Sequence, residues 1–261
     1  MTAPVPPRAP NGNGGRTARM VVGSLLGLFG VLVLAGGGAL AAHAYSNSQQ
    51  PLANPEYGEA VWSDESPDRV FPATIGNRDS RIGDLTNPKY AMWHRLGISP
   101  DTTCDKGLDG QTLKSAQELG CKAVLRATYV DPSGNMVATV AIVVLPGAET
   151  KKQQLAQAFE DLGGNAGAVV PFSVPGTLAA HWKDGRNGAA LEAPTAEHLP
   201  YAVAATTGSV DGRIAATLPG EWGDDDDEIH ADRTSYFAEA ELLTRMFKNH
   251  LEDLQLSGAD D

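Results

Sequence analysis

Five carboxylates and an imidazole stand almost side by side in Asp224, Asp225, Asp226, Asp227, Glu228 and His230. Carboxylate oxygens suit a hard cation, calcium first. The alternating ligands and central glycine of an EF-hand loop are missing. A helical pattern begins just beyond, and its positive N-terminal end favours nearby acids without any metal. The run therefore reads as a solvated acidic loop, with those six residues as the chain's metal candidates. The other histidines, His43, His94, His181, His198 and His250, show no H-E-x-x-H or related metal spacing. His94 beside Trp93 and His181 beside Trp182 read as structural.

Other chemistry is sparse. No G-x-S-x-G elbow, P-loop or G-x-G-x-x-G is present. The Gly-Gly-Asn-Ala-Gly stretch at 163–167 is like a phosphate loop only in its glycines. The sequence assigns no catalytic residue and no cofactor. Cys104 and Cys121 are the only cysteines. They lack the C-x-x-C spacing of a redox pair, and in an exported domain an even pair reads as a disulfide. Closing that loop contributes about 3 kcal/mol in the chain-entropy picture.

Export is argued from Met20 to Ala42, 23 residues without a charge. As a helix this stretch spans roughly 34 Å, enough for a hydrocarbon core of about 30 Å. Arg8, Arg16 and Arg19 precede it; Glu56, Glu59, Asp64 and Glu65 follow. Positive charge marks the cytoplasmic side, so the N-terminus faces the cytoplasm and the bulk of the chain lies outside. Ala42-His43-Ala44 also fits a signal-peptidase site, which would release the domain after Ala44. The uncharged stretch exceeds the usual h-region of about 7–15 residues, which favours an uncleaved anchor. Gly23 and Gly27 have the GxxxG spacing of paired membrane helices, a weak dimerisation signal.

Charge narrows the partners. Removing the three N-terminal arginines leaves 17 basic residues against 32 acids, a formal charge of −15 on the exported part. Such a surface repels phosphate backbones and anionic headgroups, so no nucleic-acid partner is expected. A cytoplasmic tail of 19 residues cannot hold a domain.

The elements needed to carry any site follow from the pattern. The expected organisation is a tail at 1–19, a membrane helix at 20–42, a linker at 43–61, an α+β domain at 62–255 and a tail at 256–261. Residues 62–103 suggest one or two short strands and a short helix near Tyr90–Leu96. Leu108–Leu119 looks helical, and the bridge then requires Cys104–Gly107 to fold back along it or the helix to be shorter. Ala123–Val130 and Met136–Leu145 form a hairpin about Asp131-Pro132-Ser133-Gly134, with the second strand central because both its faces are apolar. A helix follows from Thr150, with Leu155, Phe159 and Leu162 on one face. Lys183–Gly188 reads as a turn or exposed loop. Tyr201–Val210 and Arg213–Leu218 flank Asp211-Gly212 as a second hairpin, and Tyr236, Ala240, Leu243, Phe247, Leu251 and Leu254 mark a long helix. The order hairpin, Leu-Pro-Gly, helix thus occurs twice and suggests a ββα duplication, an antiparallel sheet with helices on one face.

Together the anchor, Trp93-His94-Arg95-Leu96-Gly97, Cys104 and the stretch from Gly120-Cys121 to Tyr129 resemble a group of uncharacterised single-pass membrane proteins of high-GC Gram-positive (actinobacterial) type. The resemblance implies the location and the disulfide; it implies no activity. The functional expectation is a tethered extracytoplasmic binding or structural module with a protein partner in a cell-envelope assembly. A sensor input domain and a hydrolase acting on envelope polymer or peptide are the alternatives. A deep pocket with convergent polar groups would favour the hydrolase.

Overall fold

Asp131 sets the register of the sheet. Its carboxylate accepts the backbone N–H groups of Asn135 (2.9 Å) and Met136 (2.7 Å), and its carbonyl accepts from Gly134 at 3.0 Å. Gly134 takes φ +72°, as a turn followed by a left-handed residue demands. The strands on either side, β3 (Ala123–Val130) and β4 (Met136–Val144), then pair without a slip from Val130↔Val137 to Ala123↔Val144. The hairpin expected here is present.

The structure is a computed structural model describing residues 54–77, 84–147, 150–162, 169–183, 185–214 and 226–257, together with Gly30, Val31, Leu34, Gly36–Gly38 and Leu40; for 226–234 only the backbone is described. The chain divides into a unit at Met1–Pro51 and a unit at Leu52–Asp261. In the first, the seven described residues are helical. The rest of Met20 to Ala42, including Gly23 and Gly27, lies outside the described residues. Among the described residues no helix is long and apolar enough to cross a membrane.

The second unit is an α+β domain around one antiparallel sheet. Its elements are α1 (Pro55–Asp64), α2 (Pro67–Val70), β1 (Thr74–Ile75), β2 (Trp93–Ile98), α3 (Cys104–Gly107), α4 (Gly110–Glu118), β3, β4, α5 (Thr150–Asp161), β5 (Arg186–Glu192), β6 (Tyr201–Ser209) and α6 (Asp226–Ser257). The six strands run in the order β1-β2-β3-β4-β6-β5. Central β4 is buried on both faces, as its continuous apolar run requires.

The two faces carry separate cores. Val140, Ile142 and Val144 of β4 with Tyr201 and Val203 of β6 pack under Val61 of α1 and Leu243, Phe247 and Leu251 of α6. Alternate residues Ala141, Val143, Ala202 and Ala204 pack under Ala116 of α4 and Leu155 and Phe159 of α5. Burying one such phenylalanine contributes about 1.5–3 kcal/mol. On this second face Thr139 Oγ1 accepts from the Trp182 indole (2.8 Å) and the Phe172 N–H (3.1 Å), pinning the irregular stretch between α5 and β5 to the sheet.

Helices on both faces correct the expectation of one covered face. Of the second expected hairpin, the first strand is present as β6, but its neighbours are β4 along its whole length and β5 over Val203–Gly208; Arg213 and Ile214 are not in a strand, and residues 215–218 lie outside the described residues. The ββα order does recur as β3-β4-α5 and β5-β6-α6. Neighbouring antiparallel hairpins of this kind are related by a two-fold axis normal to the sheet, which would put both helices on one face; α5 and α6 lie on opposite faces, so the recurrence is not a symmetric duplication.

Four local readings change. Pro55–Asp64, expected to be mostly linker, is a helix because Asn54 caps it through the Tyr57 N–H (3.1 Å), Pro55 opens it, and Val61 has a core to enter. Trp93–Ile98 is a strand, entered from a short 3-10 turn at Pro88–Tyr90, where a helix near Tyr90–Leu96 was expected. The loop at Lys183–Gly188 turns into edge strand β5 from Arg186 onward. Leu162, given a place on the apolar face of α5, is exposed beyond the helix end.

Cys104 and Cys121 are bridged at 2.02 Å with Cα atoms 6.5 Å apart. Both proposed solutions to the length problem operate together. Cys104–Gly107 forms its own helical turn, and the following helix is cut to nine residues, starting after Asp109.

Candidate functional site

Helix α1 presents Pro55, Glu59 and Trp62 at helical spacing along one side, and two open grooves lie along that side. The first, about 530 Å³, is walled by Pro55, by Thr195 to His198, and by Glu252, Gln255 and Leu256 at the end of α6. The second, about 360 Å³, is walled by Glu59, Trp62, Lys122, Val144, Pro146, Gly147, His198 and Pro200. His198 walls both, so the two grooves adjoin at this imidazole, and together they are called the trough with His198 at its waist.

The β5–β6 connection that carries His198 is tied down from both layers. From α6, Glu252 Oε1 accepts the Thr195 N–H (3.0 Å) and hydroxyl (3.2 Å), and Gln255 donates to the Glu197 carbonyl (2.8 Å). From α5 on the other face, the buried Lys152 ammonium donates to the Ala196 carbonyl at 2.7 Å. These ties hold His198 at φ +63°, the only left-handed non-glycine among the described residues. That conformation is uncommon for a side-chain-bearing residue and persists where its surroundings impose it.

Helix α1 reaches the connection only because residue 58 is glycine. A Cβ there would lie 2.8 Å from the His198 carbonyl oxygen and 2.9 Å from the Gln255 amide nitrogen. The Tyr201 hydroxyl completes the joint. It donates to the Gly58 carbonyl (2.7 Å) and accepts from the Trp62 N–H (3.3 Å), so it bridges an i, i+4 pair of the helix from inside the core. Burial raises the pKa of this phenol well above its ordinary value.

Within the trough, Glu59 Oε1 is 3.7 Å from His198 Nδ1, and both side chains are largely exposed, so the contact is ionic only when the imidazole is protonated. The Lys122 ammonium sits 4.9 Å from the centre of the Trp62 ring, a cation–π contact. Lys122 follows Cys121 directly, and its N–H donates to the Val144 carbonyl at 2.9 Å. The bridge therefore fixes the backbone that delivers this cation. Neither groove is lined by a serine or a cysteine, and around Trp62 the only polar side chains are Glu59, Lys122 and His198. Such an arrangement can hold a ligand by stacking and charge; the one hydroxyl in its lining, that of Thr195, donates to Glu252 at 3.2 Å.

The trough was not among the sites read from the sequence. Glu59, Trp62, Lys122 and His198 have no spacing in the sequence that would join them. Of the metal candidates, Asp224 and Asp225 fall outside the described residues, and for Asp226, Asp227, Glu228 and His230 only the backbone is described. The backbone from Asp226 is already helical, not loop. Among the described residues no group of three or more His, Cys, Asp or Glu side chains is placed to hold a metal ion. Exposed His94 lies on β2 and exposed His181 lies in the stretch before β5. His250 is buried, its Nε2 2.7 Å from the Arg69 carbonyl oxygen and its ring edge-on to Phe247. Comparison with protein-family models, with curated proteins and with solved structures finds no match.

Proposed function

We propose that this chain is a membrane-tethered extracytoplasmic module whose trough along α1 binds a segment of a protein partner in the cell envelope. The observation that carries the reading is a preformed open trough, clamped from both layers of the fold, with an aromatic ring and charges of both signs and neither serine nor cysteine in its lining. Binding sites are commonly pre-organised in this way, while a hydrolase needs a positioned nucleophile or activated water. The uncharged stretch at Met20 to Ala42, the disulfide and the resemblance to single-pass membrane proteins of actinobacterial type support the location.

A photo-crosslinking residue at exposed Glu59, in the full-length protein in membranes, should give one adduct that is absent when the same residue replaces exposed Gln157 on α5. Equal adducts at both positions, or none at Glu59, would reject the reading. A membrane-impermeant amine reagent should label Lys122 in intact cells; protection there would reject the outward orientation.

A further inference from the structure

We propose that the trough takes an extended peptide segment carrying a basic side chain about three residues from an acidic one, the basic end against Glu197 and Glu252 and the acidic end against Lys122. The inference rests on the binding reading above and adds the chemistry of the ligand. It starts from the unequal distribution of charge. The groove beside Pro55 carries Glu197 and Glu252 and no cation except the waist histidine. The groove beside Trp62 carries the Lys122 ammonium at its aromatic wall, with Glu59 next to the waist. The trough is thus negative at the Pro55 end, while its one lysine, Lys122, stands at the Trp62 end.

Length follows from α1. Pro55 to Trp62 is seven residues of helix, about 10 Å at about 1.5 Å per residue. An extended peptide advances about 3.1–3.4 Å per residue, so about three residues span the two charged ends. The character of the walls selects peptide over saccharide. A sugar presents a hydroxyl at nearly every carbon, yet no Asn, Gln, Ser or Thr side chain lines the groove around Trp62. Trp62, Val144, Pro146 and Pro200 offer apolar and aromatic contact instead, the kind of surface on which a polyproline-II segment docks with little loss of conformational freedom.

The test uses the full-length, disulfide-bonded protein and four capped peptides: Glu-Pro-Pro-Lys, Gln-Pro-Pro-Gln, Lys-Pro-Pro-Lys and Glu-Pro-Pro-Glu. Binding is followed by the Trp62 indole resonance. The mixed-charge peptide should bind best, about five- to tenfold tighter than the neutral one, as expected for two exposed charge contacts. Lys122→Glu should change the preference to Lys-Pro-Pro-Lys, and Glu197→Lys should weaken that preference in favour of Glu-Pro-Pro-Glu. Both side chains are exposed, so either variant alone suffices if the other does not fold. Equal binding of all four peptides, no binding by any, or a ranking unmoved by Lys122→Glu overturns the proposal. So does displacement of the Glu59 crosslink by a chito-oligosaccharide but not by the mixed peptide. A Glu59 adduct that persists while the peptide ranking fails rejects this inference alone; loss of the adduct itself rejects the binding reading.

Discussion

Replacing Gly58 by alanine pits two well-defined effects against each other. Gly58 is inside α1, where alanine is intrinsically better than glycine by about 1 kcal/mol. If the helix merely lay on the surface, Gly58→Ala would stabilise the domain by that amount. The new Cβ, however, would sit 2.8 Å from the His198 carbonyl and 2.9 Å from the Gln255 amide nitrogen. Gln255 can swing aside, at the loss of its bond to the Glu197 carbonyl, about 1 kcal/mol. The His198 carbonyl is backbone, tied through its neighbours to Glu252 and Lys152, and cannot yield without moving the connection. Overpacking at such a contact costs about 1–3 kcal/mol. Weighed together, the opposing effects favour a net destabilisation of about 1–3 kcal/mol. For a domain of this size that is a fall of about 2–12 °C in Tm, since each kcal/mol shifts it by about 2–4 °C. Urea denaturation of the oxidised protein measures the free energy, and the His198 backbone resonances report whether the waist of the trough has shifted. A Gly58→Ala protein more stable than the parent, with those resonances unmoved, would refute the close-contact argument and leave α1 as an ordinary surface helix.

Other perturbations separate equally clearly. Arg126 is buried on β3 and donates to the Val170 carbonyl at 2.9 Å, but its Nε has no partner and no carboxylate bridges to it among the described residues. Arg126→Met should therefore change stability by less than about 1 kcal/mol, whereas Arg126→Ala, which leaves a hole beneath Phe172, should cost about 2–4 kcal/mol in urea titrations. Joint replacement of Cys104 and Cys121 by serine should cost about 3 kcal/mol, and the parent should show the same loss in dithiothreitol. Burial holds the pKa of His250 below its ordinary value of about 6.5. The unfolded chain then takes up the proton first, so stability is full above about pH 6.5 and falls as the pH drops from there toward the folded value. His250→Gln, which can still donate to the Arg69 carbonyl, should flatten that limb of the stability–pH curve. The hydrogen-bonded carboxylates of Glu65, Asp84 and Asp131 are held below their ordinary values, so they lose their contribution only at lower pH.

What could be read from the sequence was whatever local chemistry alone decides. The β3–β4 hairpin was legible because Asp131, Pro132 and Gly134 specify a turn by themselves, and the burial of β4 because its apolar run has no polar face. The long helix was legible from Leu243, Phe247, Leu251 and Leu254. Strand β5 was hidden because Arg186, Asn187 and Gly188 are polar or small, and their strand conformation comes from pairing with β6 and from the close passage of α6, which only Gly188 permits. Without β5, the partner of β6 was sought downstream, at Arg213. Helix α1 was hidden for a similar reason: its apolar stripe is short, and its reason to fold lies in Tyr201 and Gln255, well over 100 residues away. The trough combines the ends of α1, β4 and α6 with a loop between strands, and nothing local in the sequence brings those four together.

One consequence follows from the order Cys121-Lys122. The covalent clasp of the second core and the cation at the trough's aromatic wall are adjacent residues on one short run of backbone. Oxidation of the cysteines therefore also restrains the backbone beside that cation. A reduced copy of the chain would keep the bond from the Lys122 N–H to the Val144 carbonyl but lose the covalent restraint on the residue before it. The cation at the trough's aromatic wall thus lies one residue from a bond whose state follows the redox conditions around the chain.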